Sequence, residues 1–228
     1  MVMVFEQAAT AETAQRIVQA GLTIAAHFQN QGYAALMVVD GQVATRAELI
    51  GLDAFRRLAA QQAITTILFG TGDDYTCHQP DGTLNKLDTH LFCNRELFKR
   101  QIYPAIDPLQ SGSRLLNEGP VSPEHKRVAQ QTRQLLQRYY KLRETVEAQG
   151  ESGLTEDDRQ AFRRGQRIEQ FLTQPFVVAE PYTDIPGEYV SLADTIKGFE
   201  ALLSGQYDSV PERNFWMVGT IEQALAKP

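Results

Sequence analysis

Ser122-Pro123-Glu124 opens the stretch that divides this chain in two. A serine hydroxyl able to take a free amide, a proline at the first helical position and an acid in the first turn together make a helix start. From there Val128, Thr132, Leu135, Leu136, Tyr139, Leu142 and Val146 recur on one side at helical spacing. Gly150 stands where such a helix would close, so the spacing predicts one long helix to about Gln149. Downstream the same grammar repeats. Thr155 ahead of Glu156-Asp157-Asp158 predicts a second helix, with Phe162, Ile168, Phe171 and Leu172 inside and Pro175 at its end. Ser191-Leu192-Ala193-Asp194 predicts a third, with Ile196, Phe199, Leu202 and Leu203 inside and Gly205 stopping it. A fourth is expected over Met217–Ala226, which makes residues 119–228 an all-α bundle.

Upstream of Ser122 the grammar differs. Short β-branched runs at Val2–Phe5, Ala34–Val39 and Ile64–Phe69, with a weaker one at His90–Cys93, alternate with helical stretches. Thr13–Asn30 carries Ile17, Val18, Leu22, Ile24 and Phe28, and Arg46–Gln62 carries Leu49, Ile50, Leu52, Phe55 and Leu58. Strands apolar on both faces and separated by helices predict a parallel sheet covered by helices, so residues 1–118 are expected to form an α/β domain. Ligands in such sheets bind beyond the carboxyl ends of the strands.

Composition narrows the function classes. A net charge of −6 with a pI near 5.3 argues against a nucleic-acid or anionic-lipid surface. The longest apolar run, Ala34 to Val39, falls far short of the roughly 20 residues of a membrane span, so no membrane insertion is expected. The two cysteines make no disulfide framework. Cys77, His78, His90 and Cys93 match no standard zinc spacing, and no metal site is expected there. No Ser/His/Asp or Cys/His nucleophile pattern is visible.

Ile102-Tyr103-Pro104-Ala105-Ile106-Asp107-Pro108-Leu109 carries a specific resemblance. With Gln170-Phe171-Leu172-Thr173-Gln174-Pro175-Phe176, Pro186-Gly187-Glu188-Tyr189-Val190, Gly205-Gln206-Tyr207-Asp208 and Phe215-Trp216-Met217-Val218-Gly219, it resembles the second half of the beta (catalytic) subunit of F-type rotary ATP synthases. The likeness is nearly continuous from residue 102 onward and weaker upstream, at Val4-Phe5-Glu6-Gln7, Ala20-Gly21-Leu22 and Leu36-Met37-Val38-Val39-Asp40. It implies a partial P-loop-NTPase-type (RecA-like) parallel sheet with flanking helices, followed by the helical bundle.

The resemblance also implies roles. Tyr103, Phe176 and Tyr182 match positions that box adenine in the family, Tyr182 standing where phenylalanine is usual; stacking suits a purine, and core aromatics at a junction are the alternative. Asp40, ending an apolar strand, matches the Walker B aspartate that holds Mg²⁺ through water, or else begins an Asp-Gly turn. Arg114 matches an arginine reaching the neighbouring subunit's nucleotide, or makes a plain salt bridge. Glu156, Asp157 and Asp158 match an acidic patch facing the rotor, or simply cap their helix.

No Gly-x-x-x-x-Gly-Lys-(Ser/Thr) occurs in the 228 residues. In the family that loop and the water-positioning glutamate lie upstream of the matching region, and the segment between Asp40 and Ile64 is longer. The resemblance therefore implies a divergent or split beta-type subunit of an ATP synthase or ATPase, not catalytic alone, binding Mg-ATP or Mg-ADP weakly in isolation. Expected partners are alpha-type subunits, the central stalk, or a chain bearing the P-loop, on the cytoplasmic or matrix side and peripheral to a membrane complex. A non-catalytic pseudo-subunit acting in assembly or regulation is the alternative.

Overall fold

The computed structural model describes residues 11–40, 64–69 and 88–227. The expected strand at Val2–Phe5, the expected helix at Arg46–Gln62, and Cys77 with His78 lie outside the described residues. The chain forms two compact units, residues 1–84 and 85–228.

In the first unit, α1 (Ala11–Asn30) covers the expected helix and buries Leu22. Strands β1 (Leu36–Asp40) and β2 (Thr65–Phe69) pair in parallel, Leu36 opposite Thr65 and Asp40 opposite Phe69. Parallel neighbours need a crossover of a dozen or more residues, and the interval between β1 and β2 is long enough to supply one. A wider parallel sheet is not seen among the described residues.

The second unit corrects one expectation. The run at His90–Cys93 does not extend a parallel sheet. Only β3 (Thr89–His90) is a strand, and it pairs antiparallel with β4 (Gly112–Ser113), while Cys93 forms an isolated antiparallel bridge with Ile106. The chain doubles back through α2 (Arg95–Lys99) and the Pro104–Pro108 segment, a short return that favours antiparallel pairing. Gly112 allows this closeness: a Cβ there would lie 2.9 Å from Cε1 of His90. A short α3 (Arg114–Glu118) leads into the bundle.

The three predicted helix starts are observed at their caps. Helix α4 (Pro123–Gln149) begins on Ser122, whose Oγ accepts the His125 N–H at 3.2 Å, and ends at Gly150 with φ +75°. Helix α5 (Glu156–Phe171) begins on Thr155, whose Oγ1 accepts the Asp158 N–H at 3.1 Å. After α6 (Glu180–Thr183), α7 (Leu192–Ser204) begins on Ser191 and stops at Gly205, φ +81°. Each cap satisfies an amide that has no partner inside its helix, an effect of typically ~1 kcal/mol.

The last helix is shorter than the spacing predicts. Instead of starting at Met217, α8 spans Ile221–Ala226 after a 3-10 turn at Glu212–Phe215. Met217 is left-handed, φ +49°, and its N–H is taken by the Thr173 hydroxyl; the Gly219 N–H goes to Gln223 Oε1. A tertiary partner claims the first of these amides, and a side chain of α8 itself claims the second. Leu136, Tyr139, Phe162, Ile168, Phe171, Leu202, Phe215 and Ile221 form the bundle core. Two arginines of α5 fasten the turn after α7: Arg164 pairs with Asp208, and buried Arg167 donates to the carbonyls of Asp208 and Val210.

Candidate functional site

The Ile102–Leu109 segment is a loop held from below by charged side chains. Asp107 is its hub. Oδ1 accepts the amides of Leu109 and Gln110 at 2.9 and 3.1 Å, and Oδ2 accepts the side-chain amides of Gln110 and Asn94 at 2.8 and 3.1 Å. Burial alone would raise the Asp107 pKa, but these four donors outweigh it and hold the carboxyl below its ordinary range. From α4, Arg133 donates to the carbonyls of Leu109 and Ser111, each at 2.8 Å.

The segment just ahead of Tyr103 is tied to α5. Arg100 forms an ion pair with Glu169, whose residue is 2% exposed. Burial opposes the Arg100 charge, yet the carboxylate outweighs it and raises the guanidinium pKa. The Tyr139 hydroxyl donates to the same Glu169 oxygen at 3.0 Å, and burial followed by that negative charge pushes its pKa up. Beside this network lies an apolar cavity of about 200 Å³ lined by Ile102, Pro104, Tyr140 and Leu172 among others.

Tyr103 follows Arg100 and the left-handed Gln101, φ +60°, and precedes a cis Pro104. Its ring meets Phe98 edge-on, with centroids 5.4 Å apart. Its carbonyl accepts the Gln174 N–H at 2.9 Å, which brings the backbone two residues before Phe176 alongside it. Both rings are half-buried. The stretch after Phe176 closes on itself: the Glu188 N–H reaches the Pro175 carbonyl at 3.0 Å, and the Gly187 N–H reaches Glu180 Oε1 at 2.7 Å. A Cβ on Gly187 would lie 2.3 Å from the Val177 nitrogen, so only glycine fits there without displacing backbone. Tyr182, on α6, is 88% exposed. The structure thus holds Tyr103 and Phe176 on adjoining segments and leaves Tyr182 in solvent; no ring contact joins the three among the described residues.

The remaining expected site residues lie on other elements. Asp40 is the last residue of β1, in the first unit. Arg114 opens α3, and its guanidinium pairs with the carboxylate of Asp88 while its N–H takes the Asp88 carbonyl at 2.8 Å. Glu156, Asp157 and Asp158 occupy the first turn of α5. Arg138 of α4 bridges Asp157 at 2.5 Å and Asp158 at 2.6 Å, and Glu156 pairs with Arg159 at 2.5 Å. The Asp158 pKa is lowered, first by Arg138 and then by the Thr155 hydroxyl. His90 Nε2 sits 3.0 Å from the Gln110 carbonyl and Cys93 is an exposed thiol. No three His, Cys, Asp or Glu side chains gather around a common point among the described residues.

Asp107, Arg133, Glu169 and Thr173 are the supports that sequence reasoning did not single out. Glu169 had a legible signal, since it lies seven residues from Phe162 and so falls on the apolar face of α5. Arg133 had none, because its partners are carbonyls of a distant loop.

Comparison with known proteins agrees with this geometry at a coarser level than the sequence resemblance. Residues 116–210 match the family model for the C-terminal domain of V and A type ATP synthase. The structure is similar to an ATP synthase subunit, NeqB, from Nanoarcheaum equitans, with TM-score 0.50 and 25% identity over 62% of this chain. It is also similar to the assembled ATPase EscN of the enteropathogenic E. coli type III secretion system, with TM-score 0.59 and 22% identity over 82% of this chain. The chain spans 34% of the first protein and 49% of the second. No described helix is long and apolar enough to cross a membrane. Residues 116–210 are thus similar to the C-terminal domain of V and A type ATP synthase, and the fold of the chain is similar to those of an ATP synthase subunit and of a secretion-system ATPase.

Proposed function

We propose that this chain is a beta-type subunit of a rotary ATPase, F-type by its motifs, which supplies an adenine platform and a rotor-facing helical domain to ATP synthesis or hydrolysis by the complex. The observation that carries this reading is the tie between Tyr103 and Gln174, which sets Tyr103 and Phe176 on adjoining segments directly beside a bundle similar to the C-terminal domain of V and A type ATP synthase. Aromatic faces on adjoining segments suit a purine, and Tyr182 is exposed to solvent.

Catalysis needs residues beyond these 228, since no phosphate-cradling loop occurs among them. Asp40 at the end of β1 is a partial fit for Mg²⁺, which takes few protein carboxylates and relies on phosphate oxygens for the rest. Arg114 serves the neighbouring nucleotide only if its pair with Asp88 opens, and the acidic patch meets a rotor only through what Arg138 leaves unscreened. Those two observations favour a second reading, a non-catalytic pseudo-subunit that binds alpha-type subunits or a stalk.

Calorimetric titration with Mg-ATP, Mg-ADP and adenosine separates the readings. Comparable weak binding of all three is expected, because the platform recognises the base alone. Absence of binding by any of them sinks the adenine reading and leaves the pseudo-subunit, which should bind an alpha/beta complex without changing its ATPase rate.

A further inference from the structure

The Tyr103 loop is fastened at its amino-terminal side by a part of the chain more than 110 residues away. The link runs through Thr173, a side chain with 0% exposure. Its hydroxyl donates to the Gln170 carbonyl at 2.6 Å and accepts the Met217 N–H at 2.6 Å. That second bond holds Met217 in a left-handed conformation that a non-glycine residue rarely adopts. The turn so formed places Trp216 with its indole N–H directed at the carbonyl of Gln101, 3.4 Å away. Gln101 is itself left-handed, φ +60°, and stands two residues before Tyr103. One residue beyond Thr173, the Gln174 N–H takes the Tyr103 carbonyl.

We propose that Thr173 is a positioning residue for Tyr103. It fixes the Trp216–Met217 turn against Gln101 and, through Gln174, sets the height and angle of the ring that faces the base. The inference rests on the adenine reading for its ligand but not for its mechanics. Two strained residues flank this link, Gln101 accepting from Trp216 and Met217 following Trp216 in the chain, and such conformations persist only where surrounding bonds over-determine them. A buried amide left without its acceptor is costly, so loss of the Thr173 hydroxyl moves the turn rather than leaving it in place.

Thr173→Val keeps the shape of the side chain and removes both bonds; Thr173→Ser keeps both. Trp216 is the single tryptophan, so its emission reports the turn directly. In the full chain, Thr173→Val should shift Trp216 emission to the red, speed amide exchange at Gln174, and weaken adenosine binding about fivefold or more. Thr173→Ser should restore all three. Thr173→Ala serves if circular dichroism shows the valine variant unfolded. Red-shifted emission with wild-type adenosine affinity would overturn the proposal. If the wild type binds no adenosine, the adenine reading fails separately, and Gln174 exchange decides: faster exchange in the valine variant supports the positioning role, and an unchanged rate overturns it.

Discussion

Gly165→Ala sets two physical effects against each other where α5 packs closely on Tyr139 of α4. Intrinsic propensity favours alanine over glycine inside a helix by about 1 kcal/mol. Packing opposes it. A Cβ at position 165 would lie 2.4 Å from Cβ and 2.5 Å from Cγ of Tyr139. Ordinary carbon contacts are about 3.5–4.0 Å, so the pair must part by roughly 1 Å. Tyr139 has little room to yield, since it is 3% exposed and its hydroxyl is bonded to buried Glu169. The first atom struck is Cβ, which moves only with the α4 backbone. Overpacking of this kind costs about 1–3 kcal/mol, and parting the helices also loosens Leu136 and Phe162 in the core. Packing wins, for a net loss of up to about 2 kcal/mol after propensity is subtracted. For a chain of this length that lowers Tm by up to about 8 °C. Urea unfolding followed by far-ultraviolet circular dichroism, with calorimetry beside it, measures the loss. A midpoint at or above that of the wild type, with an unchanged slope, would refute the argument and show that the helices separate at little cost.

The Asp107 carboxyl gives a pH signature. Its folded-state pKa is depressed below the unfolded value of about 3.9, so its contribution is present above that pH and fades as pH falls through the folded value. The stability gap between wild type and Asp107→Asn should therefore narrow on acidification below about pH 4. A gap that stays constant through that window removes Asp107 as the source. Gly187→Ala should displace the Phe176 segment, because the added carbon meets backbone of Val177 and Phe176 rather than a movable side chain. Adenosine affinity should drop while the bundle melts as before; unchanged affinity would separate Gly187 from the platform.

The sequence by itself determined the elements whose signals are local. Ser122 with Pro123, Thr155 with its three acids, and Ser191 with Asp194 each announced a helix start, because a cap and its amide lie within three residues of one another. The long apolar stripe of α4 and the strand character of 36–40 and 65–69 were legible for the same reason, since periodicity is a property of neighbours. The aromatic identities of Tyr103, Phe176 and Tyr182 were visible too, but not how far each is held.

Tertiary structure decided what depends on partners distant in sequence. His90 joined an antiparallel pair with Gly112 because the loop between them returns at once, and residue preferences do not encode a strand's direction. The start of α8 moved from Met217 to Ile221 because Thr173, 44 residues upstream, claims the Met217 amide. Arg114 and the acids of α5 met internal partners, Asp88, Arg138 and Arg159, that only folding brings within reach. The hub of Asp107, the clamp of Arg133 and the Glu169 network likewise join distant segments through side-chain and carbonyl groups. Such bonds leave no period in the sequence; they exist only once packing has fixed both ends.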